Sequence, residues 1–213
     1  MNKKYFYVLT AAALISFGGQ VAGEDETGTS AASMKGPAYS YNAAASAVYW
    51  EGSKPGGKHH GTIQVVNGSA ITDGNQIVGG TFDLDMSTIL NEDVKNDGMR
   101  ERLLNHLKSE DFFYVEKYPT SSFKITSVEQ MKDEPSMHMV TGELTIRGNT
   151  REVSFPAEIT MDERLIHAQS GEIVLDRTQW EVNHQSKSVF AGLKDNFIDD
   201  EMIVRLDVHL NRN

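Results

Sequence analysis

Residues 139 to 159 read MVTGELTIRGNTREVSFPAEI. In the first half Val140, Leu144 and Ile146 alternate with Glu143, Thr145 and Arg147. In the second half Val153, Phe155, Ala157 and Ile159 alternate with Glu152, Ser154 and Glu158. A period of two sends successive side chains to opposite faces, so each half is a strand with one apolar and one wet face. The Arg147-Gly148-Asn149-Thr150 stretch between them has turn chemistry, and so short a turn joins only antiparallel neighbours.

The same pattern recurs on both sides of this hairpin. Ser46 to Trp50 places Val48 and Trp50 on one face, and Thr62 to Val66 does so with Ile63 and Val65. Asp73-Gly74-Asn75 is a further turn signal, after which Phe82, Leu84 and Met86 alternate with Asp83 and Asp85. Phe123 and Ile125 oppose Lys124 and Thr126, and Gly171 to Arg177 carries Ile173 and Leu175. In the last strand Met202, Val204, Leu206, Val208 and Leu210 alternate with Glu201, Ile203, Arg205, Asp207 and His209. Roughly eight strands, each with a single apolar face, predict an all-β fold with an antiparallel sheet that is buried on one side. Open edges on such a sheet would aggregate, so closure into a barrel or sandwich is expected. One short helix is inserted between strands: Met99, Leu103, Leu104 and Leu107 form a stripe at helical spacing, Asp97 can cap it, and His106 and Lys108 suit its C-terminal dipole. One helix cannot cover such a sheet, so the apolar faces must bury one another around a common interior.

The chain of 213 residues suits one domain. Lys3 and Lys4 precede an apolar run from Tyr5 to Phe17 and the small residues Val21, Ala22 and Gly23. Residues 1–23 therefore read as a secretory signal peptide, residues 24–36 as a flexible leader, and residues 37–213 as the folded domain. No later apolar run reaches membrane-spanning length, so no stable membrane insertion is expected. There is no cysteine, which excludes disulfides, thiol catalysis, thiolate metal sites and a lipid anchor on an N-terminal cysteine. Removing residues 1–23 takes two lysines and no acid, deepening the formal net charge from -10 to -12. Such a surface repels phosphate backbones and anionic membranes, so no nucleic-acid partner is expected.

Motifs for chemistry are sparse. The seven histidines include no H-E-x-x-H pair. His59 and His60 are adjacent, which on a strand sends them to opposite faces at the surface, and His209 falls on the solvated face of the last strand. Neither G-x-S-x-G, a P-loop nor G-x-G-x-x-G occurs. Asp83 and Asp85 share a wet face, and Asp199-Asp200-Glu201 lacks an EF-hand loop and reads as a turn. No catalytic residue and no metal ligand is assigned. What remains is the interior, which in a barrel of this size is either filled by side chains or holds one small apolar ligand. The inward set mixes Trp50, Phe82, Phe123 and Phe155 with Val65, Val140, Val153 and Ala157, which is compatible with both.

Further stretches carry a resemblance. HLKSEDFF at residues 106–113, then Tyr118-Pro119, then Phe123 on a strand, together with VTGELTIRGNTREVSF at 140–155, Asp176-Arg177 followed by Trp180, Ser46-x-Val48 and the closing run through residue 208, resemble the YceI-like family in order over residues 39–211. These are bacterial periplasmic proteins with a lipocalin-like barrel that bind polyisoprenoids. The resemblance implies an elongated antiparallel barrel, an apolar tunnel, a long isoprenoid ligand such as a quinone or polyprenyl chain, and no catalytic residues. No cofactor is required, the bound lipid being the expected ligand, and a homodimer is left open.

Alternation assigns as lumen candidates Val48, Trp50, Ile63, Val65, Phe82, Leu84, Met86, Phe123 and Ile125. From the later strands it adds Val140, Leu144, Ile146, Val153, Phe155, Ile173, Leu175, Val204 and Leu206. The helix and the segments at its rim add Leu103, Leu107, Phe112, Phe113 and Trp180. Pro119 disfavours helix at Tyr118 and directs the chain into the strand near Ser121, so Phe112 and Phe113 can fold over an open apolar end, with Met99 to Phe113 as a lid. A periplasmic carrier is the first expectation. A hydrolase or isomerase acting on an apolar substrate inside the barrel is the alternative, and an interaction module with a filled core is the third.

Overall fold

The alternating segments become ten strands and one α-helix in a computed structural model that describes residues 36–213. The expected signal peptide and all but the last residue of the leader lie outside the described residues. In chain order the strands are β1 (Ala38–Tyr41), β2 (Ala47–Lys54), β3 (Gly57–Asp73), β4 (Gln76–Asp85), β5 (Thr120–Met131), β6 (Glu134–Ile146), β7 (Asn149–Met161), β8 (Leu165–Ser170), β9 (Ile173–Asp176) and β10 (Glu201–Arg212). The helix, α1 (Asp97–Lys108), lies between β4 and β5.

All strand pairs are antiparallel, and each strand from β2 to β7 pairs with the next. β10 closes the sheet by pairing with β2 through residues 202–207 and with β8 through 207–211. β1 continues the line of β2 between β10 and β3, and β9 extends the β8 side of β10. The result is a ring of 8 strand positions, closed through β7–β8–β10, while β9 pairs only with β10 and not with the first half of β7. β1 and β8 were not anticipated from alternation, because each is only a few residues long and completes a position that another strand begins.

Bulges explain where strict alternation breaks. The register slips between Val65 and Asn67 in β3, so Val66 is extruded (58% exposed) and Ala70 regains the inside. It slips again between Ile125 and Ser127 in β5, so Val128 points inward where an unbroken period would have placed Ser127. The β6–β7 hairpin turns on Arg147 (φ 50) and Gly148 (φ 75), both left-handed as a type I′ turn demands. A Cβ on Gly148 would meet the Tyr118 ring at 2.8 Å, so this turn also seats the segment leading into β5. In β6, a Cβ on Gly142 would come within 2.5 Å of the Phe123 ring, so its absence lets that ring lie flat on the wall.

The helix differs from expectation at its N-terminus. Asn96, not Asp97, is the cap, its side chain accepting from the Met99 amide at 3.0 Å, while Asp97 sits in the first turn and pairs with Arg100. Met99 is 63% exposed, so burial of the apolar stripe begins one turn later, with Leu103 and Leu104 half-buried and Leu107 buried. Outward positions of the sheet carry exposed charges such as Lys124, Glu143, Glu152 and Glu158. Among the described residues no helix is long and apolar enough to cross a membrane.

Candidate ligand-binding cavity

The inward faces do not meet across the ring. They enclose a cavity of about 250 Å³ whose wall is almost entirely carbon. A packed core leaves few voids larger than a water, so this space is a feature of the fold. Every residue that alternation assigned to the lumen lines it, as do Leu107, Phe112 and Phe113. Two candidates do not. Leu103 packs against the core from outside the wall. Trp180, almost wholly buried, belongs to the 3-10 turn after β9 and donates its indole N–H to the Leu144 carbonyl at 3.0 Å, closing the barrel structurally. The wall also includes Ala70, Val128, Ala157, Ile166, Val208 and Leu210. Alternation pointed to Ala157, Val208 and Leu210, but the bulges hid Ala70 and Val128, and Ile166 sits on the unanticipated β8.

The two ends differ. At the end formed by the β3–β4, β5–β6 and β7–β8 turns, Ala70, Ile166 and Leu210 are almost wholly buried, and Tyr39 hydrogen-bonds through its hydroxyl to the Asp162 carbonyl at 3.1 Å. At the α1 end the wall includes Glu51, Arg177, Asp199 and Glu201. Arg177 is buried there and donates from Nε to the Asp199 carbonyl (2.9 Å), from Nη2 to that of Ile198 (3.0 Å) and from Nη1 to that of Val182. Its guanidinium also lies 3.6 Å from the Asp200 carboxylate and over the Phe112 ring. A buried cation with this many acceptors fixes the geometry of the rim. It also shows why Asp199-Asp200-Glu201 has no free chelating site: Asp199 accepts from Ser53 at 2.8 Å, Asp200 faces Arg177, and Glu201 begins β10.

Phe112 is the centre of the closure. The turns after α1 carry its ring into the wall, where it meets the edge of His106 (5.0 Å) and the tilted ring of His184 (5.4 Å). Arg147, from the β6–β7 turn, donates to the carbonyls of Phe112 (3.1 Å) and Glu181 (2.9 Å), tying both rim segments to the hairpin. Burial pushes the His184 imidazole below its usual range; His106 and Arg177 add to this and Asp111 opposes it.

His209 is less solvated than expected. His209 stacks on His167 across β8 and β10, with centroids 4.1 Å apart, and Asp207 accepts from His167 Nε2 at 2.8 Å. His59 and His60 occupy successive positions of an unbroken β3 register, as expected, yet both reach one carboxylate. His59 Nδ1 lies 2.8 Å and His60 Nδ1 3.9 Å from the carboxylate of Asp93. The reason is that the loop after β4 continues the sheet along the β3 edge, with the Glu92 amide donating to the His60 carbonyl, and so brings Asp93 between the two faces. Burial raises the Asp93 carboxyl, but the His60 amide, His59 and Asn91 outweigh it and hold it at about 2.

A YceI-like domain model matches residues 39–210. BcnA of Burkholderia cenocepacia has a similar structure, with a TM-score of 0.60 at 16% identity over 79% of this chain and 98% of that one. A polyisoprenoid-binding domain from Saccharophagus degradans, implicated in plant cell wall breakdown, superposes with a TM-score of 0.59 at 13% identity, covering 83% of this chain and 99% of its own. At these identities the likeness is one of fold. In sequence, a UPF0312 protein of Photorhabdus laumondii is 44% identical over 54 residues, which span 25% of this chain and 27% of that protein.

Proposed function

This chain belongs to the YceI-like family, and on that premise we propose that it is an exported periplasmic binding protein that holds a long isoprenoid tail, such as that of a quinone or polyprenyl alcohol, in its lumen. The observation that carries the proposal is the carbon-walled cavity of about 250 Å³. Apolar burial is worth ~0.8 kcal/mol per methylene, so such a lumen binds a tail without any charged anchor. The polyisoprenoid-binding domain from Saccharophagus degradans, similar in fold, supports the same ligand class.

The asymmetry of the wall orients the ligand. Its tail runs toward the apolar end of the β3–β4 and β7–β8 turns, and its headgroup stays at the α1 rim by Asp199 and Glu201. Arg177 is already engaged by carbonyls and Asp200, so this rim favours a neutral headgroup over a phosphate. Phe112 and Phe113 cover the tail, and exchange requires the segment from α1 to Phe113 to move. Residues 1–23 act as the export signal and 24–36 as a leader, with the barrel as the single domain.

A catalytic role would need an acid or base deep in the lumen, whereas the ionisable groups of the wall gather at its rim. We therefore place binding, not turnover, as the activity, with the lipid as ligand. Solvent extraction of protein isolated from its native compartment, followed by mass spectrometry, tests this. One isoprenoid per barrel is the expected result, and repeated recovery of no lipid would sink the proposal.

A further inference from the structure

We propose that His106, Asp111 and His184 form a site for one divalent transition-metal cation, of the zinc class, which staples the end of α1 to the segment after the 177–180 turn. Two imidazoles and a carboxylate are a donor set that suits zinc and its neighbours and leaves room for water at the remaining position. His106 Nε2 lies 3.4 Å and His184 Nδ1 3.9 Å from the same Asp111 carboxylate oxygen, and the three donor atoms all fall within 4.8 Å of one another. A tetrahedral zinc with bonds of ~2.0–2.1 Å places its ligands about 3.3 Å apart. One edge of the triangle is thus already formed, and small side-chain rotations close the other two.

Ring orientation separates this cluster from a second one. The His106 and His184 planes cross at 87°, so in-plane lone pairs on the two rings can converge on one point. His167, Asp207 and His209 also bring three donors together, but there the imidazoles are stacked at 11°. Lone pairs confined to nearly parallel planes do not meet at a single ion, and that cluster is better explained as a stack bridged by Asp207. Access also favours the first cluster. The Asp111 side chain is 61% exposed and, with Glu110, Gln185 and His184, borders a solvent-open depression from which an ion and its waters can enter.

The location gives the ion a consequence. Asp111 immediately precedes Phe112, whose ring touches both histidines and lines the lumen. A cation at this position would hold Phe112 in the wall and slow movement of the lid. That second part rests on the carrier reading; metal binding itself does not.

The test uses lipid-free protein without a polyhistidine tag, titrated with zinc by calorimetry and with cobalt(II) by visible absorption. One equivalent is expected to bind, with cobalt bands characteristic of nitrogen and oxygen ligation. Losing one of three ligands should weaken zinc by at least the ~10-fold that outer-shell changes cost. Asp111→Asn, at an exposed position, tests this without disturbing the fold, and His184→Gln should behave alike. His167→Gln should leave the affinity unchanged. No uptake of zinc at about 1 mM, or equal affinity in the wild type, Asp111→Asn and His184→Gln, would overturn the site. With zinc shown to bind, an unchanged exchange rate for a quinone probe would overturn only the coupling to the lid.

Discussion

Ala157→Phe should abolish most tail binding while leaving the barrel folded. Ala157 is buried on β7 beside the cavity, and its Cβ lies on the lumen face with Val153, Phe155 and Ile159. The free volume is about 250 Å³, and a methylene-sized group needs roughly the ~30 Å³ that a water occupies in the liquid. The enclosed space therefore takes roughly eight such groups, the inner end of a longer tail whose remainder lies toward the α1 rim, worth ~6 kcal/mol at ~0.8 kcal/mol each. A phenyl ring adds roughly six carbons and so removes about three quarters of that term, ~5 kcal/mol gross. The displaced part of the tail no longer has to be ordered, which returns some of the loss, so the net effect is ~2–4 kcal/mol, or about 30- to 700-fold in Kd. Trp50 lines the cavity, so a short-tailed benzoquinone that enters it quenches tryptophan fluorescence, and titration gives Kd directly. Because the ring fills existing space, the cost to the fold is at most the ~1–3 kcal/mol of mild overpacking. A variant that melts like the wild type and binds the quinone with unchanged Kd would refute the claim that the tail lies in this lumen.

Phe112→Ala and Phe113→Ala should each speed exchange of bound quinone in stopped-flow displacement, with Phe112→Ala also costing ~3 kcal/mol because its ring is buried against both histidines. Unchanged rates would leave the two rings as a static plug. A polyprenyl phosphate should bind more weakly than the matching alcohol because Asp199 and Glu201 share the rim, and the gap should narrow with salt. Asp93 titrates at about 2 in the folded chain against an ordinary 3.8. A depressed carboxylate stabilises fully above its unfolded value and loses that contribution as pH falls from about 4 toward 2. Urea melts should show a loss on the order of 1 kcal/mol over this window, discounted for solvent contact, and Asp93→Asn should flatten it. Gly148→Ala should destabilise by ~1–2 kcal/mol, because the turn needs φ of 75 and the new methyl would meet Tyr118 at 2.8 Å.

Much of this was legible in the chain. Period-two alternation fixed which face of each long strand points inward, and the Arg147-Gly148 turn fixed antiparallel pairing, because both are consequences of local backbone geometry. The strand ring and the YceI-like assignment followed from the order of those segments. Alternation failed at Val66 and Thr126, where a bulge adds a residue and shifts the phase of everything after it. It failed for β1 and β8 because a short strand is recruited by its neighbours, not by its own pattern. The Asn96 cap was missed by one residue, since both Asn96 and Asp97 have capping side chains and only the backbone angle at the helix start decides between them.

The sequence by itself determined direction: which side chains enter the interior and which stay in water. Only the tertiary structure decided distance. Whether inward residues touch across a ring or stop short of one another depends on its circumference, so the cavity could not be told from a filled core by pattern. The same holds for the rim. His106 and Asp111 lie near each other in the chain, but His184 reaches them only because α1 and the segment after β9 close over the same end of the barrel. Alternation is a local property of φ and ψ, whereas convergence at a point is set by closure of the whole sheet.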